Sequence, residues 1–173
     1  MKRKFPAIPI SERFPPSEAC DCTVCRAYCA RPGWWSVEQA RLAFLAGYGK
    51  SMMLELSPDH SFGVLSPAFR GCEGMFALQA FAHNGCTFLH RDRCKLHGTQ
   101  FFPLECSFCH HSREGQGMLC HDALARDLDS PAGKLLVKDW IMQIYREEEF
   151  HGVDTSSVSN RNADCIPPRT LLL

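Results

Sequence analysis

Cysteine spacing constrains this chain more than any other feature of its sequence. Eleven of the 173 residues are cysteine and eight are histidine. Eight of the cysteines fall into two groups, spaced C-x-C-x2-C-x3-C and C-x7-C-x11-C-x2-C. Closely spaced thiols predict either metal ligation or a disulfide framework. The first group is Cys20, Cys22, Cys25 and Cys29, and the second group is Cys86, Cys94, Cys106 and Cys109.

The N-terminal sequence favours metal over disulfides. Residues 1–10 are basic but contain Pro6 and Pro9 and have no apolar core, so they do not resemble a secretory signal. No apolar run is long enough to predict a membrane helix. We therefore expect a cytoplasmic protein whose thiols stay reduced, and clustered reduced thiols indicate metal binding.

Charge and composition narrow the range of partners. Lys plus Arg and Asp plus Glu each number 19, so the formal net charge is zero. A neutral chain has no general attraction to nucleic acid, which disfavours that partner. The composition, 45% hydrophobic and 22% charged, is that of a globular chain. No protein partner or small-molecule substrate is assigned by the sequence.

The sequence divides into three parts. Residues 1–19 predict an extended Pro-rich leader, and residues 20–150 predict a single cysteine-rich metal-binding domain. Residues 151–173 predict a loose C-terminal tail. We expect Cys165, within that tail, to be a bystander.

Local signals predict two helices and one strand. Ser36 and Gln39 have the spacing of a capping box, and Gly47 can end the helix that follows. Ser130-Pro131 begins a second helix, with serine as the cap and proline at the first helical position. A short strand is predicted over residues 51–56.

The middle of the chain is the least regular part. Residues 62–117 predict short, irregular elements, including a hairpin formed from residues 86–89 and 95–97. Their apolar residues look too scattered to offset an ordering cost of about 1–2 kcal/mol per residue. A structural zinc contributes on the order of 10 kcal/mol. The predicted fold is a small, irregular, metal-stabilised α+β domain with few helices and short strands.

Helical spacing suggests how the first thiol group is presented. If residues 22–29 are helical, Cys22, Cys25 and Cys29 share one face. Zinc and iron–sulfur clusters both accept four thiolates, so the sequence does not decide which of them binds. Among the nearby histidines, we favour His110 as a further ligand because it adjoins Cys109.

Three stretches of the second group resemble a known family. They are Cys86-Thr-Phe-Leu89, Arg93-Cys94-Lys-Leu and Phe102-Pro-Leu-Glu-Cys106. They are similar to the C-x-F-L…C-x-[IL]-[YH]…R-P-x-x-C block of the CxxCxxCC family, also called the YkgJ-like zinc- or iron-chelating domain. The resemblance implies that Cys86, Cys94 and Cys106 join the N-terminal cysteines around metal.

This sequence departs from the family pattern in two ways, and both bear on the number of metal sites. The N-terminal cysteines are spread apart rather than adjacent. In addition, Cys109 is followed by two histidines, His110 and His111. These departures leave open whether there are one or two metal sites. Roles for His111, Cys72 and Cys120 are not assigned.

Three functions remain as hypotheses. The first is a protein that binds zinc or an iron–sulfur cluster through its cysteines. The second is an iron–sulfur-dependent enzyme, either an oxidoreductase or a methyltransferase-like protein, because a related module occurs in flagellin lysine N-methylases. The third is a zinc-ribbon-like interaction module.

Overall fold

The computed structural model describes residues 8–56, 62–78, 85–150 and 165–166, with side chains of the last helix described to residue 146. Across these ranges the chain is a small α+β domain with short strands in two small sheets. The predicted fold class, small, irregular and cysteine-rich, is therefore confirmed. Among the described helices, none has the combination of length and hydropathy that crossing a membrane requires.

Six α-helices and six strands make up the described fold. The helices are α1 (Ile10–Arg13), α2 (Thr23–Tyr28), α3 (Val37–Leu45), α4 (Leu104–Phe108), α5 (Gly117–Leu128) and α6 (Pro131–Phe150). The strands are β1 (Met52–Leu56), β2 (Gly63–Pro67), β3 (Phe76–Leu78), β4 (Leu89–His90), β5 (Arg93–Cys94) and β6 (Cys165–Ile166). Two short 3-10 helices cover Tyr48–Ser51 and His111–Arg113.

The larger sheet has the strand order β2-β1-β3-β6. Strand β1 pairs antiparallel with β2 and parallel with β3, while β6 pairs antiparallel with β3. Strands β4 and β5 form a separate antiparallel pair. Trp35 and Trp140 are fully buried in the core, and each donates a hydrogen bond to a backbone carbonyl. Trp35 Nε1–H donates to Phe101 O and Trp140 Nε1–H donates to Gly49 O, both at 2.8 Å.

Both predicted helix starts are confirmed. The Ser36 side chain accepts from the Gln39 N–H, and the Gln39 side chain accepts from the Ser36 N–H, so α3 begins with a capping box. The chain leaves this helix at Gly47, whose φ of 91° is unfavourable for other residues. At α6, the Ser130 hydroxyl accepts from the Gly133 N–H at 3.2 Å.

The expectation that the middle of the chain lacks a core is wrong. Val64, Leu65, Phe69 and Phe76 are all buried, the first two on β2 beside the equally buried β1. Strands buried on both faces show no alternation, so the pattern that identifies a half-buried strand is absent here. The predicted hairpin exists, but its strands are β4 and β5 rather than residues 86–89 and 95–97.

The leader is more ordered than predicted. Its described part, residues 8–19, contains α1 and the buried Phe14, whose ring packs edge-on against Phe108 at 5.3 Å. The N–H and hydroxyl of Ser17 both donate to the carbonyl of Ser107, at 2.8 and 2.9 Å. The leader is therefore attached to α4, which contains the predicted ligand Cys106 and is followed by Cys109. Residues 1–7 lie outside the described residues.

The expectation that Cys165 is a bystander is wrong, and the expectation that the thiols stay reduced is wrong for this cysteine and its partner Cys72. Cys165 forms a disulfide with Cys72, 93 residues away in sequence, and lies on β6 opposite Ala77 of β3. Sequence spacing could not reveal this pair because only the sheet brings the two residues together. The rest of the predicted tail lies outside the described residues, apart from Ile166.

Removing this disulfide should destabilise the sheet edge. We expect Cys165→Ser to lower the free energy of unfolding by about 2–4 kcal/mol, since the bridge closes a long loop in the unfolded chain. Urea unfolding of the wild type under non-reducing conditions gives the reference. The Cys72→Ser variant and the double variant should lose the same amount, because one bond is removed in each case. Unchanged midpoints would contradict the prediction.

Candidate metal centre

Three sulfurs surround one histidine nitrogen near the N-terminus of α2. His111 Nδ1 lies 3.5 Å from Cys20 Sγ, 3.6 Å from Cys22 Sγ and 3.4 Å from Cys25 Sγ. A tetrahedral zinc ion with typical bond lengths places its nitrogen and sulfur ligands about 3.5 Å apart. The distances from His111 Nδ1 to the three sulfurs therefore match those between nitrogen and sulfur ligands of one zinc ion.

Local structure explains how the thiols converge. Cys22 is the N-cap of α2, and its sulfur accepts the Cys25 N–H at 3.5 Å. Cys25 lies in the first turn of the helix, directly beside the cap. His111 begins a 3-10 helix far along the chain, and its own N–H donates to Cys25 Sγ at 3.4 Å.

His110 belongs to the same neighbourhood but is held differently. Ligand atoms of Cys20, Cys25, His110 and His111 all lie within 4.8 Å of one another, so this group could bind a metal. His110 Nδ1, however, accepts the Ser112 N–H at 3.2 Å and lies 2.7 Å from the Ser112 hydroxyl. The His110 ring packs against that of His111 at 4.0 Å. The contacts with three sulfurs favour His111 as the ligand, whereas the sequence favoured His110.

The thiols of this group differ in acidity. Hydrogen bonding, chiefly from the Cys25 N–H, lowers the pKa of Cys22 to about 7. Burial raises the pKa of Cys25 to about 11, although the His111 N–H opposes the shift. Cys22 is therefore readily ionised near neutral pH, and a bound cation would be needed to hold Cys25 as a thiolate beside it.

A second thiol set lies around the β4–β5 hairpin. Backbone N–H groups two and three residues further on oppose the rise in the pKa of Cys86, and the same holds for Cys94. The Gly33 N–H opposes the rise in the pKa of Cys106 in the same way. A Cβ on Gly33 would lie 2.5 Å from that sulfur, so only glycine fits there. Amides directed at sulfur stabilise thiolates, as they do in metal sites.

Cys29 completes this second set. Burial raises the pKa of Cys29, and the charge of Cys94 raises it further. Burial also raises the pKa of Cys86 to about 11, with a contribution from Cys94 and Cys29. The pKa of Cys106 is well above its usual range because of burial and the nearby Cys86. The four thiols are therefore close enough to repel one another when ionised.

The eight predicted ligands are thus distributed over two places. Three of them, Cys20, Cys22 and Cys25, lie around His111. Four form the second set, and the eighth, Cys109, is assigned to neither set. Cys109 lines cavities beside both sets, and burial raises its pKa to about 11. Cys120 is fully buried in the core. Cys25 and Cys29 line the same cavities, and the charge of the hairpin thiol Cys94 also acts on Cys29.

A buried polar network, which the sequence did not predict, adjoins the second set. Trp34 donates its N–H to Glu105 Oε2 at 2.7 Å and its Nε1–H to Glu55 Oε2 at 2.9 Å. His121 Nδ1 lies 2.8 Å from Glu105 Oε1, and Arg31 donates to Glu55 Oε1 at 3.1 Å. Burial raises the pKa of Glu55, while Trp34 and Arg31 oppose the shift. No local motif marks these residues, since Arg31 and Trp34 come from one segment and their partners Glu55, Glu105 and His121 from three others.

The fold and its donor atoms define the class of protein: a small α+β domain with a cysteine–histidine group able to bind a metal ion. Comparison with models of protein families, with curated proteins and with solved structures finds no match. Functional inference therefore depends on the geometry of the two thiol sets and on the motif residues quoted above.

Different thiol acidities predict different reaction rates. In metal-free, reduced protein at pH 7, we expect iodoacetamide to alkylate Cys22 well before Cys25, because thiolate is the nucleophile. Mass mapping of peptides at successive times measures both rates. Buried Cys120, whose pKa is raised to about 12, is the slow internal reference. Equal rates at Cys22 and Cys25 would contradict the assigned hydrogen bonds.

Proposed function

We propose that this protein binds metal through its cysteines, as zinc, an iron–sulfur cluster or both. One observation carries the proposal: His111 Nδ1 lies 3.4–3.6 Å from three sulfurs in a spacing that a tetrahedral ion requires. The motif around Cys86, Cys94 and Cys106 supports the same function, because it resembles the YkgJ-like metal-chelating domain.

The first centre suits zinc. Three thiolates and one imidazole give zinc its preferred sulfur and nitrogen ligands, and four protein ligands leave no open position. Such closed sites are structural. Here the ion would join α2 to the 3-10 helix that follows α4, two segments 86 residues apart at Cys25 and His111. Its binding free energy would stabilise the leader side of the domain.

The second centre suits an iron–sulfur cluster. Cys29, Cys86, Cys94 and Cys106 supply four thiols, the usual ligand set of a cluster. Among the described residues, the ligand atoms that lie within 4.8 Å of one another are those of Cys20, Cys25, His110 and His111, and none of these four cysteines belongs to that group. Wider spacing favours a cluster over a single ion, because irons and sulfides occupy the space between the cysteine sulfurs. A second zinc is the alternative occupant.

An iron–sulfur-dependent enzyme is the second candidate function. The observation that favours it is a cavity of about 200 Å³ whose walls include Cys29, Cys106 and Glu105. A space next to the thiols allows a reactant to approach a bound cluster. The partly buried pair of Glu105 and His121 would supply a hydrogen-bonding group on the same side.

Histidine substitutions separate the two possible imidazole ligands. We expect His111→Ala to weaken zinc binding at the first centre by at least about tenfold, since one of four ligands is lost. Competition with a chromogenic chelator measures the zinc affinity. The matched variant, His110→Ala, should remain close to wild type. The reverse pattern would assign the site to His110, and no effect of either change would contradict the Cys3His centre.

Serine substitutions test the second centre. We expect Cys94→Ser or Cys106→Ser to lower metal content and leave the protein poorly folded. Iron, sulfide and zinc are measured per chain in an anaerobic preparation, together with electron paramagnetic resonance after reduction. Iron with equal sulfide supports a cluster, whereas zinc without iron supports a second zinc site.

A control is needed because serine in a buried position can itself disturb folding. Cys120→Ser alters a buried thiol outside both sets, so it should keep its metal even if its stability falls. Wild-type metal content and melting in both Cys94→Ser and Cys106→Ser would refute their assignment as ligands.

A further inference from the structure

A larger cavity lies between α4 and the first turns of α5. Its volume is about 400 Å³, and its walls include Phe108, Arg113, Met118 and His121. Pockets of roughly 300–1,000 Å³ with a few convergent polar groups are typical of sites for small molecules. Its size is therefore that of a metabolite-binding site. Cys109 and His110 also line it, but Arg113 and His121 belong to neither thiol set.

Arg113 gives this cavity a positive charge. Its guanidinium donates to the carbonyl oxygens of Pro15 at 2.7 Å and Phe108 at 3.2 Å, and it lies 4.5 Å from the centre of the Phe108 ring. Carbonyl oxygens carry no formal charge, so these bonds position the guanidinium without neutralising it. A guanidinium fixed in this way is suited to binding an anion.

Both oxygens of the carboxylate in the cavity wall are engaged by neighbouring groups. Glu105 Oε2 accepts the Trp34 N–H at 2.7 Å, and Glu105 Oε1 lies 2.8 Å from His121 Nδ1. The pairing favours the tautomer in which Nδ1–H donates to the carboxylate, which leaves His121 Nε2 free of that bond. The His121 ring is further fixed by stacking on Trp34 at 3.7 Å. Glu105 and Trp34 therefore hold the His121 ring in one orientation.

We propose that this cavity binds a small organic anion, a carboxylate or phosphate with a short apolar body. Arg113 bonds the anionic group, and His121 contributes a second polar contact. Tyr28, Phe108 and Met118 provide the apolar walls. The site is built from protein groups alone, so it goes beyond the proposed metal function and does not depend on it.

The position of the cavity connects this ligand to the second thiol set. The smaller cavity beside Cys29 and Cys106 shares Tyr28, Arg31 and Glu105 with it. A molecule held at Arg113 would thus lie next to the cavity that reaches those thiols. This arrangement is what a protein that brings an anionic compound to a metal centre requires.

Binding of three probes to the metal-loaded protein tests the proposal. Benzoate carries a carboxylate and an apolar ring, benzamide has the same shape without charge, and inorganic phosphate carries charge alone. We expect benzoate to bind at least about tenfold more tightly than benzamide, since only the anion forms a charge-assisted bond with Arg113. Titration calorimetry measures the affinities, and the fluorescence of Trp34 beside His121 is an independent readout.

A variant that fills the cavity tests whether the probe binds there. A Cβ on Gly117 would meet only Cys109 Sγ within 4 Å, at 4.0 Å, so Gly117→Phe directs a ring into the cavity without displacing backbone. We expect it to abolish probe binding while metal content stays at the wild-type level. The matched control is Gln116→Phe, which adds the same ring at an exposed neighbour outside the cavity wall.

Each binding result has a different meaning for the proposed anion site. Saturable benzoate binding that Gly117→Phe removes supports a carboxylate site, and the same result with phosphate alone supports a phosphate site. Arg113→Gln should weaken either anion, whereas the exposed Arg126→Gln on α5 should not. The proposal is overturned if neither anion saturates, if benzamide binds as tightly as benzoate, or if Gly117→Phe binds like wild type. Metal content, measured in each variant, reports separately on the proposed metal function.

Discussion

Contact between the sulfurs at the start of α2 and His111 is the interaction on which the arrangement of this protein depends. Three sulfurs within 3.6 Å of one imidazole nitrogen cannot all ionise without a cation, because their charges repel. That requirement links the leader, α2 and the segment after α4. Cys29, one turn beyond Cys25, is close enough to the hairpin thiol Cys94 for the charge of Cys94 to raise its pKa.

The rest of the domain has an apolar core of its own. The sheet buries β1 and β2 on both faces, and Trp140 of α6 packs against it without exposure. Metal would therefore complete one side of the domain rather than organise all of it. The polar network of Glu55, Trp34 and Glu105 lies between these two parts. Burying two carboxylates costs free energy, and such groups are commonly kept where function requires them.

Several elements could be predicted because their determinants are local. The capping box of α3 needs only residues three apart, and the start of α6 needs only Ser130 before Pro131. The spacing of Cys22 and Cys25 likewise places two thiols on one helical turn. The sheet was harder to predict, since β2 is buried on both faces and has no alternating pattern to identify it. His110 and His111 are adjacent, so sequence alone could not choose between them.

The sequence by itself determined the class of chemistry, because cysteine side chains in these numbers and spacings suit metal ligation, and it determined the helix starts. Only the tertiary structure decided which thiols belong together. His111 meets Cys25 across 86 residues, and Cys72 meets Cys165 across 93. The Glu105–His121 pair and the cavity near Arg113 likewise arise from packed segments. Such contacts depend on how helices and strands pack in three dimensions, and a one-dimensional pattern carries no record of that packing.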